Sequence, residues 1–293
     1  MKLRNLRRYL TDCDYRFSVN DAHGLYRRMD DETYIKKRFH AKFGRKLNLE
    51  CPKTFNEKLQ WLKLHDRKPI YTQMVDKIEA KKLVADAIGD QYIIPTLGVW
   101  NRFEDIDFDA LPDQFVLKCS HDSGGLAICR DKKKFDIESA REKINDSLSR
   151  NYYWRGREWP YKDVLPRILA EKYMEDASDG KQGSPKGITD YKFFCINGKP
   201  QLLYVSRGME NHQTAEISFY GMDGMEKAFR RMDYKPYHNA KMPDNFDEMK
   251  AVAEKLAGFV VCPFVRIDLY SIDNHIYFSE ITFSPCSGMI PFE

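Results

Sequence analysis

Two short segments near the C-terminus carry the side chains best able to do chemistry: Arg266-Ile267-Asp268 and Glu280-Ile281-Thr282. In a strand, alternate residues share a face, so Arg266 and Asp268 point one way and Glu280 and Thr282 do the same on the next strand. The segment between them, Ser271-Ile272-Asp273-Asn274-His275, is rich in turn formers. Residues 264–283 therefore read as an antiparallel hairpin, apolar on the face opposite the charged set. Two hard carboxylates a strand apart suit Mg2+ held against substrate phosphates, and an arginine suits a forked contact to an anionic oxygen. The same residues also fit a solvated hairpin face with one ion pair.

A second signal lies upstream. Phe115-Val116-Leu117-Lys118-Cys119 is an apolar run with one lysine in it. A buried strand tolerates lysine only where the ammonium reaches water or an anion, so Lys118 demands a partner. The loop that follows, Ser120-His121-Asp122-Ser123-Gly124-Gly125, offers one possibility. Gly124 and Gly125 let backbone N–H groups approach a phosphate, and Ser120 and Ser123 add hydroxyl donors. The loop is not a Walker A sequence, because the GK[ST] ending is missing and a strand, Leu126 to Cys129, follows it. An ordinary mobile turn is the other account of such a hairpin.

The elements that must position these groups follow from periodicity and punctuation. Residues 1–50 read as helical and basic, with Tyr34, Phe39 and Phe43 at helical spacing and Gly44 as a stop. Thr54 to Glu57 opens a second helix as a capping box, with Leu59, Leu62 and Leu64 behind it. A third helix is expected from about Met74 to Ala87, ending at Gly89, then a short strand from Tyr92 to Pro95. A helix covers about 136–150, and an aromatic and Arg-rich connection runs through 162, in which Arg155, Arg157 and Trp159 fit either sugar stacking or simple packing. Leu169 to Met174 is a strand. Asp190–Ile196, Gln201–Ser206 and Glu216–Tyr220 follow as an antiparallel set, the first two joined at Asn197-Gly198. A helix from about Asn245 to Gly258 leads into the hairpin.

At 293 residues the chain can bury a sizeable core of two or three lobes. No apolar run approaches the ~18 residues of a membrane span, and the N-terminus lacks the apolar core of a secretory signal. Its seven cysteines are scattered without a CxxC. They fit reduced thiols in a cytoplasmic protein better than a disulfide frame or zinc site. Charge is uneven: residues 1–82 hold 21 Lys/Arg against 11 Asp/Glu, the remainder 27 against 33. A basic segment of this kind suits an anionic membrane surface, an acidic polymer or a nucleic acid, or is a solvated helical face.

In order along the chain, these signals resemble the ATP-grasp enzymes, the fold of D-alanine:D-alanine ligase and related carboxylate ligases. Asp76-Lys77 with Gly89 and Pro95 looks like the opening segment. Lys118 with SHDSGG looks like the phosphate lysine and glycine-rich flap, Glu171-Lys172-Tyr173-Met174 like the adenine hinge, and RID with EIT like the metal end. The similarity is greatest to the TupA-like (teichuronopeptide-biosynthesis-like) branch, carried by FNEKLQWLKLHDRKPIYTQMVDK, LPDQFVLKCSHDSGG, ITDYKFFCINGKP and YFSEITFSPCSGM. It spans about residue 30 to the end. The chain departs from the pattern at Asp122, where that branch has glycine, and at Thr282, where most ATP-grasp enzymes have a metal-binding asparagine. It stops at Pro291-Phe292-Glu293, where similar proteins continue.

The resemblance implies an α+β ATP-grasp fold, two subdomains whose antiparallel sheets clasp ATP. A helical basic region, 1–70, would precede an ATP-grasp region, 71–293, with a flap subdomain at about 112–170 and a metal subdomain at about 171–293. It implies that Lys77 and Lys118 bind the phosphates with Ser120, Ser123, Gly124 and Gly125. Glu171, Tyr173 and Met174 would receive adenine, Asp190 the ribose, and Lys192 a phosphate or substrate anion. Asp268, Glu280 and Thr282 would hold Mg2+, and Arg266 would stabilise charge developing at the acceptor carboxylate.

The implied activity is ADP-forming carboxylate–amine ligation through an acylphosphate. Its substrates would be a uronic-acid carboxylate of a surface polysaccharide or its precursor and an amino acid or amine. Such an enzyme would be cytoplasmic, with peripheral contact to the inner membrane face or an acidic polymer and no nucleic-acid partner. Two other readings stay open: a glycosyltransferase using a nucleotide sugar, and a non-catalytic polyanion-binding protein on a nucleotide fold.

Overall fold

A computed structural model describes residues 3–175, 188–209, 213, 215–238 and 240–293; the expected metal subdomain therefore lies partly outside the described residues. The N-terminal region is helical: α1 Leu3–Thr11, α2 Cys13–Ala22, α3 Asp31–Phe43 and α4 Phe55–His65. Gly44 ends α3 in the left-handed conformation, as a glycine stop does. At the start of α4, Thr54 and Glu57 form the full capping box, each satisfying a backbone N–H of the other.

The expected helix at 74–87 is instead two, α5 Ile70–Val75 and α6 Glu79–Ile88. Asp76 breaks it. The Asp76 carboxylate accepts from the Ile78 N–H at 2.9 Å and from Arg167 at 2.7 Å, while the Lys77 N–H turns to the Ser120 carbonyl at 3.1 Å. Those partners replace the intrahelical bonds a continuous helix would make. The short strand also differs from expectation. Asp90 to Tyr92 is a 3-10 turn, Ile93 makes an isolated parallel bridge to Phe278, and the first strand, β1 Thr96–Trp100, starts after Pro95, which has no N–H to give.

The first sheet has four strands, β1, β2 Phe115–Cys119, β3 Leu126–Cys129 and β4 Ile168–Lys172, in the antiparallel order β1-β4-β2-β3. One face, with Phe115, Leu117, Cys119, Ile168 and Ala170, packs on Ala140 and Ile144 of helix α7 Ile137–Leu148. The second sheet has five: β5 Asp190–Ile196, β6 Lys199–Arg207, β7 Glu216–Tyr220, β8 Phe264–Ile272 and β9 His275–Thr282. Its antiparallel order is β7-β6-β5-β8-β9. Helix α8, Phe246–Val260, covers one face through Met249, Val252, Ala253 and Leu256 against Phe193, Val205, Ile267 and Leu269.

Both hairpin turns carry positive φ at their two central residues, Asn197-Gly198 and Asp273-Asn274, as two-residue turns of the primed type require. The helical region does not stand apart. On α4, Asn56 and Gln60 bond the carbonyls of Ser287, Gly288 and Ile290, and Met289 joins the core of Phe17, Tyr34, Ile35 and Phe39. Among the described residues, no helix is long and apolar enough to cross a membrane.

Candidate active site

The polar face of the five-stranded sheet holds one continuous line of alternating charge. Lys192 on β5 lies opposite Asp268 on β8, and Asp268 opposite Glu280 on β9. Lys192 Nζ donates to Asp190 at 3.1 Å and to Asp268 at 2.9 Å. Arg266 grips Asp268 with a fork, two bonds of 2.6 Å, and donates to the Thr282 hydroxyl at 3.0 Å. Thr282 passes a bond of 2.9 Å to Glu280.

Strand parity explains the placement. Ile267, Leu269 and Ile281 take the opposite face into the α8 core. A β-bulge at Ser279 then shifts the phase of β9 so that Phe278 and Ile276 also reach that core. Without the extra residue, Glu280 and Phe278 would share a face.

Fully buried, Asp268 would be pushed up by loss of water, but Arg266 and then Lys192 outweigh that and hold it below the usual carboxylate range. Lys192 is correspondingly raised: burial opposes its charge, and Asp190 and Asp268 overcome it.

On the facing four-stranded sheet, Glu171 is the hub. Lys81 and Lys118 each reach one of its carboxylate oxygens at 2.5 Å. Burial alone would raise Glu171; Lys118 and then Lys81 reverse this and hold it down at about 2. The two lysines diverge. Lys81 is pulled below its ordinary value by burial and only partly rescued by Glu171. Lys118 rises against burial because Tyr270 and Glu280, from the other sheet, add to Glu171. Lys118 thus lies within electrostatic reach of Tyr270 and Glu280 on the other sheet.

The flap between β2 and β3 is stitched down. Lys77 Nζ donates to the Asp122 carbonyl. The Asp122 carboxylate accepts from the Gly125 N–H at 3.2 Å and from the Ser147 hydroxyl. Ser120 differs from the expectation of a phosphate donor. It is fully buried, donating to the Leu165 carbonyl at 3.2 Å and accepting from the Arg167 N–H at 3.2 Å. Its hydroxyl is spent holding the strand to the 165–167 segment. His121 is buried too, its Nε2 within 3.1 Å of the Ser147 and Arg150 carbonyls. Ser123 and Gly124 stay exposed at the tip.

Tyr173 and Met174 follow β4 directly, and the Tyr173 hydroxyl accepts from Arg130 Nε at 3.0 Å. Arg157 packs inside, with Tyr34, Tyr153 and Trp154 around its guanidinium, and donates to the Tyr26 carbonyl at 2.7 Å. Packing, not sugar stacking, is its role.

Two participants escaped the sequence reading. Lys81 lies four residues after Lys77, one turn along in the helix expected over 74–87, which is the signal that could have found it. Tyr270 continues the Arg266, Asp268 alternation and donates nothing to the expected cluster; instead it accepts from Ser279 at 3.1 Å and faces Lys118.

Among the described residues, no three His, Cys, Asp or Glu side chains gather into a metal-holding group. The donor set nevertheless fits Mg2+ of the kind completed by substrate phosphates, which needs only one or two protein carboxylates. Asp268 and Glu280 supply hard oxygens, and Glu280 spends only one described bond, to Thr282. Thr282 itself both accepts from Arg266 and donates to Glu280, which links the two.

The sequence model of the TupA-like ATPgrasp family matches residues 57–293. The chain belongs to that family. The family match starts later than the resemblance from about residue 30, so α1 to α3 lie outside it. No curated protein matches the chain.

Several solved structures are similar. D-alanine--D-alanine ligase from Bacillus anthracis, complexed with ATP, is 16% identical over 72% of this chain and 54% of its own, with a TM-score of 0.42. The ATP-grasp ligase PsnB, complexed with a phosphomimetic variant of its minimal precursor, Mg and ADP, is 13% identical over 90% of this chain and 65% of its own, with a TM-score of 0.44. N5-carboxyaminoimidazole synthetase from Staphylococcus aureus is 14% identical over 72% and 44%, with a TM-score of 0.37. The chain spans less than two thirds of the length of each.

Proposed function

We infer that this ATP-grasp chain is an ATP-dependent ligase that activates a carboxylate as an acylphosphate and joins it to an amine, releasing ADP and phosphate. The observation that carries the reading is the run Asp190-Lys192-Asp268-Arg266-Thr282-Glu280 facing Lys81-Glu171-Lys118 across the cleft. It is a lattice of cations and carboxylates of the kinds that bind a polyphosphate and its metal.

In this reading Lys77 and Lys118 meet the phosphates, with the exposed flap tip, Ser123 and Gly124, closing over them. Glu171, with both oxygens held by lysines, sets the position of Lys118, and backbone groups of Tyr173 and Met174 complete the purine slot. Asp190 meets the ribose and Lys192 ties it to Asp268. Asp268 and Glu280 would hold Mg2+, which when bound neutralises phosphate charge. Arg266 has one terminal nitrogen, Nη1, without a described hydrogen bond, and this is the donor left for charge developing at the acceptor carboxylate.

No nucleophilic side chain is required, since positioning and charge stabilisation supply such catalysis. The carboxylate substrate we assign is a uronic acid of a surface polysaccharide or its precursor, and the amine an amino acid or simple amine. The basic 1–82 segment suits such an acidic polymer or an anionic membrane face.

The test is incubation with ATP and Mg2+ against panels of uronic acids and amino acids, reading ADP and product mass. ADP formed only when both partners are present is the expected result. Binding of a nucleotide sugar without ATP binding would overturn the reading in favour of glycosyl transfer.

A further inference from the structure

The basic N-terminal region has one surface that its charge alone does not explain. Residues 1–11 contain four Lys/Arg and no Asp/Glu, and among them Leu3, Leu6 and Leu10 recur at i, i+3 and i+7. That is the spacing of a single face of helix α1. Two of these leucines stay outside the protein: Leu6 is 43% exposed and Leu10 65%. Neither joins the core of Phe17, Tyr34, Ile35 and Phe39 that the following helices build.

The helix is nevertheless fixed in place. Tyr9, off that stripe, donates its hydroxyl to Asn20 Oδ1 of α2 at 2.8 Å. Arg16 of α2 donates to the carbonyls of Tyr9 at 3.3 Å and Leu10 at 3.1 Å, which closes the last turn of α1. Arg8 turns to the same neighbour, over the Tyr15 ring at 4.4 Å and onto Asp12 at 3.2 Å. Arg7 is different. It is exposed, three residues before Leu10, and among the described residues its guanidinium has no partner. One flank of α1 is therefore spent on α2, while another presents leucines beside a free arginine.

We propose that α1 is a membrane-docking element that lies in the headgroup layer of an anionic bilayer, with Leu6 and Leu10 entering the acyl boundary and Arg7 against lipid phosphates. A basic helix with an uncovered apolar face is what such an interface binds. An acidic polymer or a nucleic acid would pair with the arginines, yet it offers the leucines no apolar phase to enter. Two-fold pairing with a second copy would cover the leucines but set arginine against arginine. Of the acidic polymer and the membrane face that the basic charge suits, the leucines thus favour the membrane. The proposal does not rest on the ligase reading, since α1 lies outside the family match at 57–293.

The experiment sediments the full chain with sucrose-loaded vesicles, made of phosphatidylcholine alone or mixed with phosphatidylglycerol. The mixed vesicles should bind at least about tenfold more tightly and lose that preference at high salt, since each basic residue near an anionic surface is worth a factor of about five. Leu6→Ser/Leu10→Ser should weaken vesicle binding about tenfold or more, the share of the apolar contact. The same variant should bind heparin, a soluble polyanion, as the wild type does. Leu10→Ala, a milder change, should fall between the two on vesicles.

Equal binding to neutral and anionic vesicles, or none to either, would overturn the proposal. So would equal vesicle binding by the wild type and the double variant, which would leave charge as the whole attraction. A concentration-dependent dimer that the double variant dissolves, without vesicle binding, would give the stripe to a second copy and overturn it too. The wild-type comparison of vesicles stands even if the double variant fails to fold.

Discussion

Lys192 and Asp268 face each other on adjacent strands with Nζ and Oδ2 2.9 Å apart, and the same ammonium holds Asp190 at 3.1 Å. One mostly buried lysine thus joins the expected ribose and metal carboxylates. Lys192→Met removes the shared partner and leaves Asp190 without its ion pair, holding the Ser206 hydroxyl at 3.4 Å. We expect a loss of about 3–5 kcal/mol, as for breaking one member of a buried pair, read by urea unfolding. A loss under about 1 kcal/mol would place the lysine with surface pairs.

Asp268 and Thr282 are separable by experiment. Asp268→Asn should abolish the Mg2+-dependent part of the thermal shift produced by ATP and lower ADP formation by at least about 100-fold. Thr282→Val removes only the relay from Arg266 to Glu280. It should retain the Mg2+-dependent shift and lose roughly tenfold or less in turnover, in line with one hydrogen bond. Equal loss of the Mg2+ effect in both variants would make Thr282 a ligand.

Glu171 makes a pH prediction of definite sign. Its folded value, about 2, is below the ordinary 4.5, so the stability it contributes is complete above pH 4.5 and drains away as pH falls from 4.5 toward 2. Thermal melts across pH 2.5–6 should show a steep acid limb in the wild type and a shallower one in Glu171→Gln, which is also less stable at neutral pH because Lys81 and Lys118 lose their partner. Parallel limbs would mean that Glu171 is not held low.

The flap glycines are predicted to differ. A Cβ at Gly125 would sit 2.8 Å from Cys119 Cβ and 2.4 Å from the Ser147 hydroxyl oxygen, so Gly125→Ala should cost about 1–3 kcal/mol of stability through overpacking. At Gly124, with φ +145°, nothing lies within 4 Å and the strain is purely in the backbone. Gly124→Ala should fold, yet close poorly and raise the ratio of ADP to amide product, measured by parallel nucleotide and mass assays. An unchanged ratio would count against flap closure as the shield of the acylphosphate.

Much of the local design was readable along the chain. The Arg266, Asp268, Glu280, Thr282 cluster follows from strand alternation, the Thr54–Glu57 cap from a four-residue pattern, and the Asn197-Gly198 turn from the φ those residues accept. Each depends on neighbours a few positions away. The bulge at Ser279, the break at Asp76 and the burial of Ser120 do not. They arise where Leu269, Arg167 and Leu165 arrive from distant strands and loops and compete for the same backbone and side-chain groups.

The sequence by itself determined which residues share a face and which carry charge, because covalent spacing and backbone geometry do that. Only the tertiary structure decided that Glu171 is answered by Lys118 and Lys81, that Thr282 bridges Arg266 and Glu280, and that Ser120 is closed in between Leu165 and Arg167. The reason is physical: whether a polar group is paired depends on which partners remain once folding has removed water, and those partners lie up to more than a hundred residues away.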